Sequence, residues 1–139
     1  HDIPRPLTVC GGDTNRLAAA LFLQMLLGGA ASVYYGDELG MSGGEDPLNR
    51  GAMAWREPDE KIKALYAAMI GFKKEHRDGL NITEMRMQDG VLCLTLSGGD
   101  YMAYIAEPSG NKHIAAPGGM SLRFGDASLE CGYAFFEKK

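Results

Sequence analysis

The chain has 139 residues, a formal net charge of -4 at pH 7, 45% hydrophobic residues and 23% charged residues. These proportions are ordinary for a globular protein and argue against a disordered chain. The negative charge and the lack of a basic cluster argue against a nucleic-acid partner. The longest apolar run, residues 17–27, is interrupted by Gln24 and is shorter than the roughly 20 residues that span a bilayer. We therefore expect neither nucleic acid nor membrane as a partner.

The first half of the chain alternates helix, strand and loop signals. Residues 16–27 are strong helix formers that Asp13 or Thr14 can cap, and two glycines follow them. Residues 30–35, with a valine and two tyrosines, are typical of a buried strand in a parallel sheet. Residues 36–58 lack periodicity, which predicts a long functional or flexible loop. A helical stripe of apolar residues then predicts a helix from 59 to 77, ended by Gly79.

After Leu80 the apolar residues fall in short runs. The spacing predicts strands at residues 82–88, 91–97 and 101–106, with an Asp-Gly turn between the first two. Two or three weaker strands follow, the last at residues 133–137. This pattern indicates an antiparallel all-β unit.

Residues 32–55 are the most informative stretch and read S-V-Y-Y-G-D-E-L-G-M-S-G-G-E-D-P-L-N-R-G-A-M-A-W. They resemble the end of the catalytic barrel in the α-amylase superfamily, glycoside hydrolase family 13, and especially its neopullulanase, cyclomaltodextrinase and oligo-glucosidase branch. The opening H-D-I-P-R is similar to the fourth signature region of that family, about thirty residues upstream.

The resemblance implies an α/β plus all-β fold. Residues 1–79 would be the last βα units of a TIM (β/α)8 barrel, the C-terminal part of the catalytic domain. Residues 80–139 would be the antiparallel β-sandwich called domain C. A complete barrel needs roughly 250 residues, so we expect the chain to be the C-terminal part of a longer enzyme.

The resemblance also implies roles for four residues. Asp2 matches the carboxylate that stabilises the oxocarbenium-like transition state, and His1 matches its sugar-binding partner. Asp46 and Arg50 match a D-P-x-x-R element that binds a neighbouring sugar. Without the resemblance, Asp46 and Arg50 would be an ordinary surface ion pair with i, i+4 spacing.

Other polar and aromatic residues of this region carry weaker signals. No function is assigned to Arg5, although it has the spacing of the family's H-D-x-x-R. The resemblance gives Asp37 and Glu38 a structural role. Trp55 lies in a loop and could stack on a sugar, whereas tyrosines on a buried strand are more often core.

The reaction implied is retaining hydrolysis or transfer at α-1,4 or α-1,6 bonds of α-glucans. Such a reaction needs a nucleophile and an acid/base about 5 Å apart, and the regions that carry them in this family are absent from the sequence. We expect the chain alone to be inactive. No cofactor or metal site is evident, and calcium is left open for a full-length parent.

Two rival interpretations stay open. In one, the β-domain is a non-catalytic carbohydrate-binding or interaction module, although its aromatics alternate as core residues do. In the other, the chain is a truncated product that self-associates through its exposed barrel surfaces. Three cysteines without C-x-x-C spacing predict free thiols and a reducing compartment, which favours the cytoplasm.

Overall fold

A computed structural model describes residues 2–77 and 80–139. The helices are α1 (Pro6–Val9), α2 (Thr14–Leu26) and α3 (Glu60–Glu75), and single 3-10 turns occur at Asp37–Leu39, Leu48–Arg50 and Ser97–Gly99. The strands are β1 (Ile82–Gln88), β2 (Val91–Leu96), β3 (Tyr101–Ala106), β4 (Met120–Gly125) and β5 (Tyr133–Lys138). None of the helices in the described ranges is long and apolar enough to cross a membrane.

Helix α2 begins at a capped residue, as the sequence predicts. The side chain of Asp13 accepts hydrogen bonds from the backbone N–H groups of Asn15 and Arg16, which have no partner within the helix. A glycine pair after a helix favours a left-handed ending, but here the C-cap is Leu27 in an extended conformation and the left-handed residue is Gly29, two positions later, with φ 85°. Instead, Lys73 Nζ of α3 donates to the carbonyl oxygens of Met25 and Leu27, at 3.0 and 2.7 Å.

Helix α3 is amphipathic and packs against α2. Asp59 caps it by accepting from the backbone N–H groups of Lys61 and Ile62. One face is buried and carries four residues at helical spacing, namely Ile62, Tyr66, Met69 and Phe72. The predicted stop at Gly79 lies outside the described residues.

The five strands form one antiparallel sheet in the order β1-β2-β3-β5-β4. The β1–β2 hairpin turns through Asp89 and Gly90, which both have positive φ, at 50° and 71°. Positive φ at both central residues is the geometry that Asp-Gly turns favour. The antiparallel β unit predicted for residues 80–139 is therefore confirmed.

The two faces of the sheet pack against different parts of the chain. One face contributes Leu94, Leu96 and Phe135 to a core shared with α2 and α3. The opposite face contributes Cys93, Tyr104 and Phe136 to a second cluster that also holds Leu129 and, from neighbouring loops, Ile114 and Ala127. All five strands in the described part of the chain belong to one sheet, so the predicted two-sheet sandwich is not found there, and helices cover the face where a second sheet was expected.

Residues 30–35 do not form the predicted strand. They belong to no sheet in the described part of the chain, and Tyr35 lies in a turn and is 39% exposed. A parallel strand exists only through hydrogen bonds to neighbouring strands, and no parallel pair occurs among the described strands. Residues 2–77 accordingly contain helices and loops without a parallel sheet, and the barrel expected for residues 1–79 is not confirmed.

Candidate functional site

Three of the four predicted site residues lie together. Arg50 Nη2 lies 3.4 Å from Asp2 Oδ1, and Arg50 Nε lies 3.3 Å from Asp46 Oδ1. The side chains are open to solvent, with relative exposures of 76% for Asp2, 59% for Asp46 and 44% for Arg50. His1 lies outside the described residues. One guanidinium thus joins two carboxylates that are 44 positions apart in the sequence.

The turn Leu48–Arg50 orients Arg50. Its middle residue, Asn49, is 1% exposed, and Asn49 Nδ2 donates to the carbonyl oxygen of Ile3 at 3.0 Å. This bond ties the turn to the segment that carries Asp2. A buried amide on one side of the short turn leaves the neighbouring Arg50 on the solvent side.

Arg5, three positions after Asp2, is 1% exposed. Its Nη1 donates to the carbonyl oxygen of Tyr35 and to Asp37 Oδ1, both at 2.8 Å. The guanidinium carbon lies 5.0 Å from the ring centroids of both Tyr34 and Tyr35, a distance at which a cation is attracted to an aromatic face. Sequence analysis assigned no function to Arg5, yet its side chain is buried and contacts Tyr34, Tyr35 and Asp37, and its H-D-x-x-R spacing was the available signal.

Asp37 has the structural role that the sequence predicted. It is 6% exposed and forms a buried ion pair with Arg5. Burial raises the pKa of the Asp37 carboxyl above its ordinary value, while the hydrogen bond and positive charge of Arg5 oppose that rise. Burial removes the Asp37 carboxylate from water and disfavours its charge, whereas the pairing with Arg5 favours that charge.

The aromatic residues of the region differ in exposure. Tyr35 donates its hydroxyl proton to the carbonyl oxygen of Gly51 at 2.9 Å, so it braces the loop that follows Arg50. Trp55 is 76% exposed and is free to meet a flat ligand. An exposed indole ring of this kind can stack on the face of a sugar.

The cluster has the chemistry to bind a polyhydroxylated ligand. Carboxylate oxygens accept hydrogen bonds from hydroxyls, and a guanidinium donates several in a fixed geometry. No group of three His, Cys, Asp or Glu side chains that could hold a metal ion occurs in residues 2–77 and 80–139. The site therefore offers the carboxylate oxygens of Asp2 and Asp46 as hydrogen-bond acceptors, and the guanidinium of Arg50 as a donor, on an open surface.

Several known proteins are similar in sequence to this chain. The chain is 42% identical over 80 residues to a cyclomaltodextrinase of Geobacillus thermopakistaniensis, which covers 55% of this chain and 13% of that protein. It is 43% identical over 60 residues to neopullulanase 2 of Thermoactinomyces vulgaris, covering 43% of this chain and 10% of the relative. No protein-family model matches.

A solved structure extends the likeness to the fold. The cyclic α-maltosyl-(1→6)-maltose hydrolase of Arthrobacter globiformis is 30% identical, with a TM-score of 0.65, over 76% of this chain and 25% of that one. The resemblance to glycoside hydrolase family 13 is confirmed. The match lies in the C-terminal region of the family 13 enzymes, and the chain spans only about a tenth of the length of the two curated relatives.

The family 13 likeness gives the cluster a context that geometry alone does not. An Asp–Arg pair at i, i+4 spacing on a surface is common and contributes little to stability. Here the pair includes a third residue, Asp2, from a distant part of the chain. All three residues belong to the motifs that carried the family resemblance.

Proposed function

We propose that this chain forms the C-terminal portion of a glycoside hydrolase that acts on α-glucans. In this proposal the parent enzyme cleaves α-1,4 or α-1,6 glucosidic bonds with retention of configuration by double displacement. Asp2 stabilises the positive charge that develops at the anomeric carbon. Asp46 and Arg50, together with His1, hold the hydroxyls of neighbouring sugars.

The observation that carries the proposal is the contact of Arg50 with both carboxylates. A sugar ring presents several hydroxyls that donate to carboxylates and accept from a guanidinium. Because Asp2, Asp46 and Arg50 are all exposed, a glucan can reach them without a change of fold. The names of the relatives, cyclomaltodextrinase and neopullulanase, support an α-glucan as the ligand.

Binding of maltotriose tests the site directly. Titration calorimetry of the chain with maltotriose should detect weak binding, and Asp46→Asn and Arg50→Gln should each weaken it about tenfold because a charge-assisted hydrogen bond is lost. Arg123→Gln is the matched control, since Arg123 forms a similar exposed pair with Glu137 at 2.7 Å on the sheet. Equal affinities in all four proteins would refute the site.

The chain alone is proposed to be inactive. Retaining hydrolysis requires two carboxyls about 5 Å apart flanking the scissile bond, and the family regions that provide them are not recognised in the sequence. Incubation with maltooligosaccharides should release no reducing sugar above a buffer control. Measurable hydrolysis that Asp2→Asn abolishes would overturn this part of the proposal.

The carbohydrate-binding module is the alternative, and it has less support. The aromatics of the sheet that would have to meet a sugar are mostly core, with Tyr104, Tyr133, Phe135 and Phe136 between 1% and 8% exposed. In the titration above, this alternative predicts that maltotriose binding survives the Asp46 and Arg50 substitutions. It also predicts that substitutions on the sheet surface weaken that binding.

Self-association is a further part of the proposal. Four large apolar side chains from the first 55 residues are mostly exposed, namely Ile3, Val9, Leu48 and Trp55, at 70% to 76%. Sedimentation velocity over a hundredfold range of concentration should show a rising mean mass, and a constant monomer mass would refute self-association.

Two further parts of the proposal concern a longer parent enzyme and its location. We propose calcium as a ligand of the longer parent, and a cytoplasmic location, which three free thiols favour.

A further inference from the structure

Arg5 connects three segments that the site needs. Its side chain binds the segment of Tyr35 and Asp37 through Nη1. Its backbone N–H donates to the carbonyl oxygen of Gly43 at 2.9 Å. Arg5 is 1% exposed, and its guanidinium lies over the neighbouring rings of Tyr34 and Tyr35, so packing as well as charge restricts its position.

Gly43 is held from both sides by the segment that begins at Arg5. While Gly43 O accepts from Arg5, Gly43 N donates to Thr8 Oγ1 at 2.8 Å. The chain then turns so tightly that a Cβ at Gly43 would lie 2.4 Å from the carbonyl oxygen of Leu48. The loop that carries Asp46 is therefore held at its start, Gly43, by Arg5 and Thr8, and it returns to Gly43 at Leu48.

The three site residues depend on this arrangement by their places in the chain. Asp2 is three positions before Arg5, and Asp46 is three positions after Gly43. Arg50 follows Asn49, whose side chain binds Ile3 between Asp2 and Arg5. The segments that carry Asp2, Asp46 and Arg50 are therefore each connected, at one end, to Arg5 or to a residue near it in the chain.

We propose that Arg5, paired with Asp37, is a positioning residue for the glucan site. The inference rests on the proposed function above and extends it, since Arg5 touches no sugar and acts through Asp2, Asp46 and Arg50. The buried ion pair holds residues 2–5 against residues 35–37, and the loop of residues 43–50 follows that segment and is bound at Gly43 by the backbone N–H of Arg5 and the hydroxyl of Thr8. Without it, Arg50 no longer contacts both carboxylates at once.

The test replaces the pair as a unit. Removing one partner leaves the other charge buried and unpaired, whereas an apolar replacement of both is often tolerated. Arg5→Met combined with Asp37→Leu should fold, as near-UV circular dichroism and a cooperative urea transition would show. Its Kd for maltotriose should be about tenfold weaker than that of the unmodified chain, a loss typical of coupled contacts.

A double-mutant cycle separates positioning from general destabilisation. If the pair acts through Asp46, adding Asp46→Asn to the Arg5–Asp37 replacement should weaken binding less than Asp46→Asn does alone. Additive losses would overturn the inference. Phe136→Leu, in the core on the far face of the sheet, is the control: it should lower stability and leave the Kd unchanged.

The outcomes distinguish this inference from the proposed function. If the unmodified chain binds maltotriose and Asp46→Asn weakens it, the site stands, and an unchanged Kd in the Arg5–Asp37 variant overturns only the inference. If Asp46→Asn has no effect, the site itself fails. Should the double variant not fold, Asp37→Asn, which keeps the shape and an oxygen acceptor, is titrated instead, with a smaller loss in the same direction expected and an unchanged Kd overturning the inference.

Discussion

The ring of Phe22 in α2 stacks on the ring of Tyr133 in β5, with 4.5 Å between their centroids. Phe22 is fully buried and also contacts Phe72 of α3 and Phe135 of β5, at 5.3 and 6.2 Å. The helices of the first half and the sheet of the second half therefore share one apolar core. This core lies across the predicted boundary at residues 79 and 80.

The shared core predicts that the two halves unfold together. Phe22→Ala should lower the free energy of unfolding by about 3–5 kcal/mol, the usual cost of removing a buried phenylalanine. Far-UV circular dichroism in urea measures the loss of helix, and near-UV circular dichroism measures the loss of aromatic packing. The urea midpoints of both signals should fall together. Met87→Ala, at a side chain that is 68% exposed, is the control. Separate midpoints for the two signals would instead support two independent domains.

Acid should destabilise the loop between β4 and β5 through Asp126. Burial alone would raise the pKa of the Asp126 carboxyl, but hydrogen bonds from the Cys131 and Ser128 side chains and from the backbone N–H groups of Cys131 and Glu130 lower it from 3.8 to about 2. A depressed carboxyl pKa contributes stability above the unfolded value, and that stability is lost as the pH falls through the folded value. The contribution is about 1–2 kcal/mol near neutral pH.

The corresponding variant is Asp126→Asn. The difference in unfolding free energy between the unmodified chain and this variant should be constant above about pH 5 and shrink as the pH falls from about 4 to about 2. Urea midpoints measured across that range would show it. Asp100→Asn, at the opposite end of the sheet, is the control, and a difference that does not change with pH would contradict the proposed role.

Gly125 should not tolerate a side chain. It has φ +78°, and a Cβ there would lie 2.3 Å from the carbonyl oxygen of Tyr133. Gly125→Ala should therefore cost roughly 2 kcal/mol or more, because left-handed strain and a backbone clash add. At Gly118 nothing lies within 4 Å of the equivalent position, so Gly118→Ala is the matched control. Equal melting temperatures for the two variants would rule out this explanation.

The cap of α3 should contribute measurably to stability. Asp59 Oδ1 accepts from the backbone N–H groups of Lys61 and Ile62 at 2.9 and 3.1 Å. Asp59→Ala should lower the free energy of unfolding by about 1 kcal/mol. Lys61→Ala, an exposed change in the same turn, should have a much smaller effect. Thermal unfolding of both variants measures the difference, and equal losses would show that the cap is unimportant.

Sequence patterns predicted the elements whose causes are local. Asp13 was one of two candidate caps for α2, and the bounds of β1 and β3 match the predicted runs. The Asp89-Gly90 turn has the backbone geometry that its residues favour. The motif residues Asp2, Asp46 and Arg50 were named from a family pattern, which carries information about spatial neighbours that local reasoning lacks.

Tertiary structure decided what depends on partners distant in sequence. Residues 30–35 have a strand composition but no strand beside them, so they join no sheet. The expected second sheet is replaced by α2 and α3, because their apolar faces cover Leu94 and Phe135. Arg5 matched a family spacing but was assigned no function from sequence, and the fold makes it the buried partner of Asp37, 32 positions away. Local propensity thus predicted most of the elements and the family motifs named the candidate site residues, whereas long-range packing and charge pairing decided how they meet, because such contacts form only after the chain has folded.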